Sequence, residues 1–110
     1  MMRTNQTLIQ ELTFKQKLVK VIEIVQEKKR LHRFIRYRYS DGEKGRCALG
    51  LLLTYYGWSG NPLDDSYPSS NSNVFDMLNI HERNLIASIN DKSNSYDEVV
   101  RKLSALAAQR

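Results

Sequence analysis

From Leu8 to Lys29, the residues Leu8, Leu12, Leu18, Val21, Ile22 and Val25 recur at spacings near three and four, with Lys15, Lys17, Lys20, Glu23 and Glu27 between them. That period gathers the apolar side chains on one side of a helix and predicts an amphipathic helix over the stretch. Thr7 and Thr13 each precede a glutamine by three residues, so either can open it with a capping box. Lys28, Lys29 and Arg30 fall at its end, where cations suit the negative pole of the helix dipole.

The period then changes. Phe34 to Tyr39 alternates, with Ile35, Tyr37 and Tyr39 on one face and Phe34, Arg36 and Arg38 on the other, which predicts a strand. Asp41-Gly42 is a turn signal, so a short hairpin, or a strand followed by a sharp return, is expected. From Ala48 to Tyr56 nearly every residue is apolar or aromatic. A helix that is hydrophobic all round belongs at the centre of a domain. Gly50 inside it points to a second backbone passing close by, and Gly57 suits the residue just past its end.

Residues 59–73 are rich in Ser, Asn, Asp and Pro and lack periodicity, which predicts a flexible exposed loop. Asn73 then caps a short helix through Leu78, and Glu82 to Asn90 carries Leu85, Ile86 and Ile89 at helical spacing. Ser95-Tyr96-Asp97-Glu98 reads as a capping box opening a last helix that buries Val99, Val100, Leu103, Leu106 and Ala107. Together these elements predict a helix-dominated α+β fold of about five helices, with one short β-hairpin or strand between the first and second.

Length leaves room for one core, so residues 1–110 are read as a single domain. No run of about 18 apolar residues is present, so no membrane contact is expected. The polar N-terminal stretch lacks a signal-peptide pattern, and one cysteine forms no internal disulfide; both point to the cytoplasm.

Charge changes this picture more than composition does. Met1 to Arg46 holds twelve Lys or Arg against five Asp or Glu, a balance of +7, while Cys47 to Arg110 stands at −2. Within 28–46 alone, Lys28, Lys29, Arg30, Arg33, Arg36, Arg38, Lys44 and Arg46 face only Asp41 and Glu43. Such local concentration of one sign creates the field that attracts polyanions.

The sequence therefore points first to non-enzymatic nucleic-acid binding, with phosphates held by Arg30, Arg33, Arg36, Arg38 and Lys44 and a base stacked on Tyr37. A small interaction or regulatory module binding an acidic protein would use the same cations, and a solvated face is the plain account of them. Cys47, at a helix start beside Arg46, is a weaker candidate for the nucleophile of a hydrolase. His81 or His32 would then serve as its base, and Asn90 or Asp91 as the orienting group. One cysteine and two histidines, 15 and 34 residues away from it, match no zinc spacing, so neither metal nor cofactor is expected. Tyr55, Tyr56 and Trp58 border the long loop and make a homodimer contact a further expectation.

Two segments, GRCALGLL (Gly45 to Leu52) and INDKSNSYDEVVRKL (Ile89 to Leu103), resemble a small domain of bacterial and phage genomes. Its members show a strand, a glycine turn, a Cys-x-x-Gly helix and a later Asn-Asp before an aromatic-x-Glu-Val helix start. The resemblance spans roughly Leu18 to Leu106 and implies that architecture, with no activity attached. The basic stretch before the turn lies outside the resembling motifs.

Overall fold

The structure is a computed structural model that describes residues 12–61 and 78–109. Its first helix, α1, is Phe14–Lys28. Thr13 supplies the cap: its hydroxyl accepts from the Gln16 N–H at 3.2 Å, and the Gln16 side chain accepts from the Thr13 N–H at 2.9 Å. The helix therefore begins later than Leu8, and the Thr7 alternative lies outside the described residues. Its buried stripe is Leu18, Val21, Ile24 and Val25, with Ile22 half-buried at the edge. A 3-10 turn, Lys29–Leu31, follows.

The β element departs from the expected hairpin. Strands β1 (Arg33–Phe34) and β2 (Gly45–Arg46) pair in parallel, Arg33 opposite Gly45 and Phe34 opposite Arg46. A turn does form at Asp41-Gly42: Asp41 Oδ1 accepts the N–H groups of Glu43 and Gly45, both at 2.9 Å, and Ser40 bridges antiparallel to Arg46. What fails is the six-residue alternation. Side chains at the end of a later helix capture the backbone after Phe34, with Asn90 Nδ2 donating to the Ile35 carbonyl at 3.0 Å and Asp91 Oδ1 accepting from the Tyr37 N–H at 2.8 Å. Tyr37 takes a left-handed φ of 71°, which no strand tolerates. Phe34 and Tyr39, expected on opposite faces, both pack on the core, while Tyr37 points outward.

Helix α2 is Ala48–Tyr55, with Ala48 to Leu53 all buried. Gly50 sits where a Cβ would collide with the Tyr39 carbonyl and come within 2.9 Å of its carbon, so the close approach expected there is real. The helix ends in a Schellman motif. Gly57, at φ 108°, donates to the Thr54 carbonyl at 3.0 Å, and Trp58 donates to the Leu53 carbonyl at 2.9 Å.

Helices α3 (Ile80–Asp91) and α4 (Tyr96–Ala108) complete the described fold. Asn79 and Glu82 form a capping box on α3, and Glu82 also pairs with the largely buried Lys17 of α1 at 3.0 Å. The described residues thus hold four α-helices rather than about five. The short helix expected from Asn73 falls outside them except for Leu78, which is fully buried, and so does most of the loop expected at 59–73.

One hydrophobic cluster unites the elements: α1 packs on α2 and α4, and α3 packs on the same two helices, so the four close around a shared core. The small sheet is pinned to α4 by Tyr96, whose hydroxyl reaches the Arg33 carbonyl at 2.9 Å and the Arg46 carbonyl at 2.6 Å. No described helix is long and apolar enough to cross a membrane.

Candidate functional site

The parallel sheet and the turn between its strands carry the basic segment at one end of the core. Of its eight cations, Arg46 is turned inward, with only 3% of its surface exposed. Its guanidinium donates to the carbonyls of Glu43 (2.7 Å), Gly45 (2.8 Å) and Ser59 (3.2 Å) and to the hydroxyls of Ser40 and Thr54, both at 3.0 Å. A fork of five N–H donors suits such a ring of oxygens, and Arg46 therefore holds the turn together rather than facing a ligand. Lys29 pairs with Asp97 at 2.7 Å, Arg33 pairs with Asp41, and Lys28 lies 5.9 Å over the Tyr55 ring. Arg30, Arg36, Arg38 and Lys44 are exposed and form no ion pair among the described residues.

Arg30, Arg33 and Lys44 converge with His32 and the exposed Leu31 on a groove of about 410 Å³. His32 Nδ1 lies 3.1 Å from the Lys44 carbonyl, which makes Nδ1 the donor and leaves the Nε2 lone pair for a ligand. Burial pulls the His32 pKa below its ordinary value, and the charges of Arg46, Lys28 and Lys44 act in the same direction against the Lys44 carbonyl bond. A bound anion would reverse part of that effect. The carboxyl of Asp41 is held below the usual range by the Glu43 N–H first, then by the Gly45 N–H and Arg33, so it stays ionised and tied to the turn.

Cys47 caps α2, its Sγ accepting from the Gly50 N–H at 3.4 Å. The thiol is buried, and that burial pushes its pKa up to about 11, the opposite of what a nucleophile requires. His81 lies exposed in the first turn of α3, and no histidine lines the cavity that reaches Cys47. Asn90 is engaged with the backbone, accepting from the Ala48 N–H at 2.9 Å while donating to Ile35. Among the described residues no three His, Cys, Asp or Glu side chains gather as a metal site.

Comparison with known proteins finds no matching family model, no similar curated protein and no similar solved structure. The resemblance carried by Gly45 to Leu52 and Ile89 to Leu103 therefore stands on those residues alone.

The geometry also assigns roles that the sequence pattern does not carry. Asn90 and Asp91 fix the course of residues 35–37, and Tyr37, between Arg36 and Arg38, is left 79% exposed at a strained φ. The adjacent Asn-Asp at a helix end is the one signal in the chain for this latch, since short polar side chains there readily bind passing backbone.

Proposed function

We propose that the protein is a non-enzymatic domain that binds nucleic acid through the phosphate backbone, acting in the cytoplasm. Arg30, Arg36, Arg38 and Lys44 are the contacts, with Arg33 shared between Asp41 and the ligand. The observation that supports this reading is the exposure of those four cations without a carboxylate partner among the described residues. A surface evolved only for solubility normally intersperses both signs, whereas among the described residues these four cations have no carboxylate partner, and Arg30 and Lys44 line a groove.

The test is fluorescence anisotropy with labelled oligonucleotides and single Gln substitutions of the four residues. Each substitution is expected to weaken binding alike for every sequence and to lower the salt slope by roughly one contact. Unchanged affinity across all four would overturn the assignment. Loss of oligonucleotide binding coupled to capture of one acidic protein after nuclease treatment would transfer the same cations to a protein partner.

A further inference from the structure

A second cavity, of about 230 Å³, lies beside Tyr37, between residues 37–39 and α3. This is the cavity that reaches Cys47; its apolar wall comes from Cys47, Leu49 and Ala87, and Tyr37, Arg38, Tyr39 and Asp91 complete it. The volume is below the roughly 300 Å³ at which pockets for drug-sized ligands begin, so it suits a single heterocycle. The charge inside decides which part of a nucleotide it takes. Asp91 accepts both of its hydrogen bonds on Oδ1, from the Tyr37 N–H at 2.8 Å and from Asn90 Nδ2 at 3.4 Å, and among the described residues Oδ2 has no partner. A carboxylate oxygen repels a phosphate but accepts from the amino or imino N–H of a base edge.

Tyr37 fits the same role. An aromatic residue with a left-handed φ and a ring left in solvent is held there by Asp91 at a conformational cost, and such positions cluster at ligand sites. Arg38 at the rim is placed to meet the phosphate attached to an inserted base. A further compartment of about 230 Å³ shares Tyr39, Leu49 and Ala87 and extends along α3 to the exposed Ile80, which leaves room for the next base.

We infer that this cavity takes an unpaired nucleobase, stacked on Tyr37 or Tyr39 with its N–H edge on Asp91, and that the ligand is single-stranded. The inference rests on the phosphate-binding reading above. A duplex fails because pairing hides the edge that Asp91 reads and stacking covers the face that the tyrosines need.

Three labelled DNA probes of equal length test it by anisotropy at 50 mM salt: single-stranded oligo(dC), the corresponding duplex, and a strand of abasic sites with the same phosphates. Oligo(dC) is expected to bind more tightly than the abasic strand by roughly five- to 150-fold for one seated base. Tyr37→Ala and Asp91→Asn should bring that ratio towards one, the second while keeping an acceptor for the Tyr37 N–H. Equal affinity for oligo(dC) and the abasic strand, or a ratio that both variants leave intact, would overturn the base pocket and keep the phosphate reading. Absence of binding to all three probes would remove both.

Discussion

Asn90→Ala puts the latch between the helices and the basic segment to a quantitative test. Asn90 is fully buried, and its carboxamide joins three parts of the chain. Oδ1 accepts from the N–H of Ala48, itself fully buried at the start of α2, and Nδ2 donates to the Ile35 carbonyl just past β1. Alanine removes both partners at once. A buried polar group left unsatisfied costs about 1–3 kcal/mol. The Ala48 N–H belongs in the upper part of that range because water cannot reach it, and the half-buried Ile35 carbonyl in the lower part. Together they give a loss of about 2–4 kcal/mol, a large share of the roughly 5–15 kcal/mol that stabilises a domain. Urea unfolding followed by circular dichroism reads it as a fall of about 1–3 M in midpoint at unchanged slope. Asn90→Asp should also destabilise, since its second oxygen would face the Ile35 carbonyl and the Asp91 carboxylate. That loss should deepen as pH rises through the carboxylate range. An alanine variant within about 0.5 kcal/mol of the parent, the size of an ordinary surface substitution, would refute the bridging role.

Gly50→Ala would normally add about 1 kcal/mol in a helix interior. Here the new methyl meets the Tyr39 carbonyl, so thermal unfolding should show a loss of about 1–3 kcal/mol, and a raised melting temperature would contradict the packing. Tyr96→Phe deprives the Arg33 and Arg46 carbonyls of the shared hydroxyl and should cost about 1–2 kcal/mol in urea unfolding; a neutral result would detach the sheet from α4. Cys47 should react with iodoacetamide far more slowly in the folded protein than in urea, because its thiol is buried with a pKa of about 11. The folded state favours the neutral thiol, so its contribution to stability is complete below the unfolded pKa of about 8.5 and declines as pH rises towards 11. Cys47→Ala should flatten that alkaline decline, and an unaltered decline would assign it to other groups.

Where local chemistry decides the structure, the sequence was informative. The apolar run after Cys47 has no polar face to present to water, which is why α2 is buried from Ala48 to Leu53, and a glycine in it is explained by the Tyr39 backbone alongside. Gly57 ends that helix in the left-handed conformation that glycine adopts readily. The strand expected at Phe34 to Tyr39 stops at Phe34 because the backbone beyond it is set by Asn90 and Asp91, more than fifty residues downstream, whose side chains outcompete a partner strand for the Ile35 and Tyr37 backbone. Arg46 looked like its basic neighbours for a similar reason. The carbonyls that receive it converge only once the turn at 40–46 has folded, and no pattern of charges along a chain reveals such a ring.

The salt dependence of binding tests the central claim most directly. A labelled single-stranded oligonucleotide titrated at 50 and at 200 mM salt should lose affinity roughly 50-fold if Arg30, Arg36, Arg38 and Lys44 each release a counterion, at about 0.7 per single-strand contact. Affinity that does not change between the two salts, or no binding at the lower one, would contradict the account.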